Sequence, residues 1–170
     1  MRFVSIPEAK KGSLAWLWLS LLIIALDQLT KWVAVSNLEM YQQVPVIADL
    51  FSFTLAYNTG AAFSFLADAA GWQRWLFAAI AVVVSVVLCV WLSRLDRSKR
   101  LEAIALALIL GGALGNLYDR VVLGHVVDFI LVHWQQRWFF PAFNIADSAI
   151  TVGAGLLILD MFVGKKKTEN

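Results

Sequence analysis

Four long apolar stretches organise the chain: about Leu14 to Val35, Trp72 to Leu92, Leu101 to about Tyr118, and about Phe143 to Val163. Each is close to the roughly 20 residues that a helix rising about 1.5 Å per residue needs to cross a bilayer. The pattern predicts four transmembrane helices, and Trp16, Trp18, Trp72, Trp75 and Trp91 fall near their ends, where amphipathic rings favour the headgroup region. Between the first two stretches the period changes. Tyr41, Val44 and Val46, then Phe51, Phe53, Leu55 and Tyr57, recur at every second position, which is the signature of strands, and Pro45 and the Asp49 region divide the run into two short pieces. The segment from His125 to Val132 is predicted to add strands to this hairpin, while Trp134, Trp138, Phe139 and Phe140 suit a membrane interface. The expected fold class is an all-α polytopic membrane protein, a single domain over residues 1–170, with a small β-rich cradle on its outer side.

Composition agrees. At 61% hydrophobic and 15% charged residues, the chain has too little charge to cover a soluble core. Charge placement then orients it. Arg2, Lys10 and Lys11 precede the first stretch; Arg94, Arg97, Lys99 and Arg100 separate the second from the third; Lys165, Lys166 and Lys167 follow the fourth. The excess of basic residues on one side predicts that both termini are cytoplasmic and that Ser36 to Gly71 and Asp119 to Ala142 face outward. An uncleaved anchor is expected for the first stretch, because it runs on through Asp27, Gln28 and Lys31 without a small-x-small cleavage site. The basic residues form short clusters rather than one face, which argues against a nucleic-acid partner. Cys89 is the lone cysteine, and His125 and His133 lack metal-ligand spacing, so no metal or other cofactor is expected.

Counting residues along the helices then gathers the polar positions at one depth. Asp27 lies sixteen residues past Lys11, or about 24 Å from the cytoplasmic boundary, and Asp147 lies eighteen before Lys165, or about 27 Å from it. Asn116 falls about 21 Å beyond Glu102, and Gly112, Asn116 and Arg120 share a helical face, with Asp119 adjacent. Asn144, Asp147, Ser148 and Thr151 follow the same spacing of three and four. Three spans thus point polar side chains into a layer about one turn below the outer surface.

Ionisable groups at such a depth are costly unless paired or wetted. Asp27 and Lys31, four apart, can be an intrahelical ion pair, and Arg120 can neutralise Asp119, so those four have a ready structural explanation. Asp160 lies near the cytoplasmic lysines. Asp147 has no cation within reach on its own helix, and Asp128 sits in the apolar run Val126-Val127-Asp128-Phe129. Two carboxylates brought together in a low dielectric share a proton, and such a pair can activate water and protonate a leaving amine. Asp128 and Asp147 are therefore candidates for an aspartic peptidase dyad. A small proton-coupled transporter is the alternative, and a scaffold with structural ion pairs is a third reading. The transporter predicts acids at the midplane and inverted repeats. Gly111 with Gly115, and Gly153 with Gly155, read as sites of close helix packing.

Taken together, five blocks resemble the lipoprotein signal peptidase (signal peptidase II) family: Asp27-Gln28-Leu29-Thr30-Lys31; Asn58-Thr59-Gly60-Ala61-Ala62-Phe63; Gly111 to Arg120; Val127-Asp128-Phe129; and Phe143 to Ser148. They occur in the family's order and span nearly the whole chain. The resemblance implies that Asp128 and Asp147 are catalytic and that Asn58, Gly60, Gly112, Asn116, Arg120, Asn144 and Ala146 line or support the site, with Asp27 and Lys31 holding its outer wall. It further implies a monomer in the bacterial cytoplasmic (inner) membrane with its active site near the outer face. Such an enzyme removes signal peptides from diacylglyceryl-modified prolipoproteins by cutting before the lipidated cysteine, and globomycin inhibits it. Asn58, Asn116 and Asn144 are expected to satisfy substrate backbone groups freed when the signal helix unwinds.

Overall fold

The computed structural model describes residues 12–60 and 71–166. These residues form four long helices, α1 (Leu17–Asn37), α2 (Gln73–Arg94), α3 (Arg100–Val122) and α4 (Ile145–Lys166), and four strands, β1 (Val44–Ile47), β2 (Phe51–Asn58), β3 (Val126–Trp134) and β4 (Trp138–Phe139). All four helices are long and apolar enough to cross a membrane. Their C-terminal ends overrun the predicted bounds by a few residues, which puts Asp119 and Arg120 on the last turns of α3 rather than beyond it. The basic residues Arg2, Lys10, Lys11 and Lys167, and the motif positions Ala61 to Phe63, lie outside the described residues.

α3 is the central helix. Its most apolar window is 61% buried, against 22% for α1 and α2 and 17% for α4, and each of these three packs against α3. The outer faces of α1, α2 and α4 carry Leu21, Val83, Val86 and Phe162, all more than half exposed on the protein surface, as expected of helices whose remaining solvent is lipid. Close approach to α3 is bought with glycine. A Cβ at Gly111 would meet Ser20 and Ile23 of α1, one at Gly115 would meet Asp27, one at Gly112 would meet Ala146 and Ile150 of α4, and one at Gly153 would meet Ala105 and Ile109 of α3. Gly155 departs from the expectation, since nothing among the described residues lies within 4 Å of the equivalent point.

The strands form one antiparallel sheet in the order β1-β2-β3-β4, so the fold is a helical bundle with a sheet rather than all-α. The sheet caps the end of the bundle where α1 and α3 finish and α4 begins. α3 stops in a left-handed Gly124 (φ 88°), with the N–H groups of Leu123 and Gly124 donating to the Asp119 carbonyl. In β2 the alternation has the opposite sense to a soluble sheet. Ser52 and Thr54 are buried, Phe53 and Tyr57 lie on the surface, and a register irregularity between Phe53 and Ala56 lets Leu55 turn inward as well. An isolated bridge between Ile130 and Phe143 lays the segment entering α4 alongside β3.

Candidate active site

That bridge brings the two predicted acids together. Asp128 projects from β3, paired with Ala56 of β2, and Asp147 occupies the first turn of α4. Asn144 forms a capping box with Asp147: its Oδ1 accepts the Asp147 N–H at 2.9 Å, and its own N–H donates to Asp147 Oδ2 at 3.3 Å. The Asn144 Nδ2 donates to Asp128 Oδ1 at 2.7 Å and also reaches the Val127 carbonyl and Asn116 Oδ1. One fully buried asparagine therefore touches both carboxylates. Asn116 of α3 donates to Asp147 Oδ1 at 2.8 Å, and Asn58, at the end of β2, donates to Asp128 Oδ2 at 3.3 Å.

Asp128 and Asp147 line one cavity of about 740 Å³, within the ordinary range for ligand sites. Asn58, Asn116, Arg120, Ser148 and Thr151 supply the rest of its polar wall, and Phe140, Phe143, Ile150 and Val152 contribute an apolar one. Burial, and next the charge of Asp147, push the Asp128 carboxyl up to about 7. Arg120 lies over the Phe77 ring at 5.6 Å and donates to the carbonyls of Asn116 and Gly60, while its buried Nε has no partner among the described residues. Gly60 in turn donates its N–H to Asn58 Oδ1.

Several expected positions differ. Asp119 does not pair with Arg120. It turns the other way, to Lys31 Nζ at 2.8 Å. Asp27 and Lys31 are not a wall of the cavity but are buried behind the acids, in the interface of α1 with α3 and α4; their ion pair is 2.7 Å long, and Lys31 also donates to Asn116 Oδ1. Breaking such a buried cluster by deleting one partner costs about 3–5 kcal/mol. Asn144, fully buried and engaged with the acids, is a bridge rather than a surface for substrate. Ala146 and Gly112 meet at the α3–α4 contact, outside the cavity lining. His133 is buried with Nε2 2.9 Å from Ser52 Oγ, and His125 stacks on Tyr57 at 4.1 Å, both away from the acids.

Counting helical turns does not reveal Gln28, which donates to Asp27, Asp119 and the Gly115 carbonyl, or Phe77, which supports Arg120 from α2. Gln28 follows Asp27 directly, yet an adjacent amide carries no signal of its own.

The family model for signal peptidase (SPase) II matches residues 19–163. The lipoprotein signal peptidase of Pseudomonas syringae pv. tomato is 73% identical over 165 residues, 97% of this chain and 95% of that protein. The lipoprotein signal peptidase of Pseudomonas aeruginosa strain UCBPP-PA14 is 69% identical over 164 residues, 96% and 97% of the two chains. Two solved structures of bacterial membrane enzymes superpose with TM-scores of 0.82 and 0.76 at 28% and 29% identity, covering 93% and 90% of this chain and 94% and 96% of theirs. With four helices fit to span a membrane and a family match over most of its length, the chain is a multi-pass bacterial membrane peptidase and belongs to the signal peptidase II family.

Proposed function

We propose that this protein, acting as one membrane-embedded domain, is an aspartic endopeptidase that removes the signal peptide from diacylglyceryl-modified prolipoproteins by cutting before the lipidated cysteine. One observation carries the reading: two carboxylates from different elements, sharing Asn144, line a single cavity with both a polar and an apolar wall. A transporter reading finds less support, because the acids cluster at the sheet end of the bundle rather than midway along it.

Asp128, whose carboxyl burial and the charge of Asp147 push up to about 7, holds the shared proton, and Asp147 is the ionised partner. Asp147 takes a proton from water as its oxygen bonds to the scissile carbonyl carbon, and Asp128 gives its proton to the carbonyl oxygen. The proton on Asp147 then passes to the amide nitrogen as the C–N bond breaks, and Asp128 recovers its own from the collapsing tetrahedral centre. Arg120 and Asn58, both on the wall of the cavity, are set to receive the substrate backbone. The apolar wall suits lipid-bearing substrate, and globomycin would compete for the same cavity. The acids and the sheet face the outer leaflet of the inner membrane, both termini are cytoplasmic, and the enzyme acts as a monomer.

Incubating the purified enzyme with matched prolipoprotein, with and without diacylglycerol on the cysteine, tests this directly. Mass spectrometry should find cleavage only of the lipidated form, with the modified cysteine as the new N-terminus. Equal cleavage of both forms, or a cut elsewhere, would remove the substrate assignment.

The Asp128 proton also sets a pH limit. With the carboxyl at about 7, the acid form is available below that value and lost above it. The alkaline limb of kcat/KM should therefore fall around pH 7 in the detergent-solubilised enzyme, and a profile flat to pH 9 would contradict the assignment.

A further inference from the structure

We propose that Lys31 is a positioning residue that sets the separation of Asp128 and Asp147; the inference rests on the dyad reading above. The Lys31 ammonium has three N–H donors and three close acceptors: Asp27 Oδ2 at 2.7 Å, Asp119 Oδ2 at 2.8 Å and Asn116 Oδ1 at 2.9 Å. Each acceptor leads to the dyad. Asp27 Oδ1 accepts the backbone N–H of Ala146, the residue immediately before Asp147, at 2.9 Å. Asp119 Oδ2 accepts the backbone N–H of Val127, the residue immediately before Asp128, at 3.1 Å. Asn116 donates to the Asp147 carboxylate itself.

The symmetry of these links matters. β3 and α4 are already joined by the Ile130–Phe143 bridge and by Asn144, which donates to Asp128 and to the Val127 carbonyl, and the Lys31 cluster adds a hold on the backbone immediately before each acid. The Ala146 N–H is one of the donors a helix start leaves unsatisfied, and it is satisfied from α1 rather than from its own helix. The Val127 N–H is held in the same way from α3. One cation thus joins the two carboxylates that grip the chain one residue upstream of each acid. Without it, those two anions would face each other at close range, and the grips would spread in opposite directions. Gln28 also spans Asp27 and Asp119, so the fold has a second tie that does not depend on the lysine.

The test is steady-state cleavage of a lipidated prolipoprotein by purified Lys31→Met, Lys31→Arg and Asp128→Asn enzymes. Because misplacing a reacting group by about 1 Å costs about 100-fold in rate, Lys31→Met should lose about 100-fold in kcat with KM changed less than about two-fold. Lys31→Arg, which keeps the charge, should recover at least about ten-fold of that loss. A purely structural lysine would instead lower the yield of folded enzyme and leave kcat per folded molecule intact, and that result overturns the proposal. Full turnover by Asp128→Asn would sink the dyad itself; an inactive Asp128→Asn beside a fully active Lys31→Met would sink only the positioning role. If Lys31→Met does not fold, Asp119→Asn, which keeps an acceptor for the Val127 N–H, should exceed Asp119→Ala in kcat by at least about ten-fold, and equal values overturn the proposal.

Discussion

Asp128→Asn and Asp147→Asn should each lower turnover of a lipidated prolipoprotein by at least about 100-fold, and by as much as about 10,000-fold, while leaving the protein folded. The asparagine at 128 keeps an oxygen for the 2.7 Å bond from Asn144 and gives up only the longer bond from Asn58. It also removes an ionisation that the folded state resists. An acid raised from 3.8 to about 7 on folding contributes stability that is complete below 3.8 and lost as the pH rises through about 7. Above that value the ionised Asp128 weighs against the fold. At pH 8, then, Asp128→Asn should melt no lower than the parent, and this separates loss of chemistry from loss of structure. Asp147→Asn differs, because Asp147 also accepts the Asn144 N–H in the capping box, and its melting temperature should fall by a few degrees. Near-normal processing by either variant would exclude a two-acid mechanism.

How much of this was legible beforehand depends on which residues helical counting can reach. Asp27, Asn116 and Asp147 were placed at one depth by rise per residue, and they share one hydrogen-bonded cluster through Lys31. Rise fixes depth but not azimuth, so it does not reveal the partner of Asp119: Arg120 is its neighbour in sequence, yet it points toward Phe77 and Gly60 while Asp119 faces α1. The strand period was visible in β2, whereas its buried side was not. Apolar alternation signals an inward face only where the outside is water, and in β2 Ser52 and Thr54 are the buried pair. The backbone donors of Ala146 and Val127 leave no mark in the sequence at all, since every residue but proline carries one. Only the packing of α1 and α3 against α4 and β3 reveals which carboxylates hold them.

Gly112→Ala and Gly155→Ala, two changes of one methyl group on neighbouring helices, are expected to behave in opposite ways. A Cβ at Gly112 would stand 2.3 Å from the Ala146 carbonyl oxygen and 2.8 Å from an Ile150 side-chain carbon, whereas ordinary contact begins at 3.4 Å. The side chain of Ile150 can rotate, but the carbonyl belongs to the first turn of α4 and cannot move alone. That turn must withdraw by about 1 Å, taking Asp147 with it, while Asp27 holds the Ala146 N–H in place. Displacement on this scale should lower kcat by about 100-fold, and the strain should lower the melting temperature as well. A Cβ at Gly155 would have nothing within 4 Å among the described residues, so Gly155→Ala should keep turnover within about two-fold and match or exceed the parent's melting temperature, because alanine favours the helix by about 1 kcal/mol over glycine. The pair therefore tests whether contact between α3 and α4 fixes the dyad: equal activity in both variants would mean that the first turn of α4 can shift without disturbing the two acids.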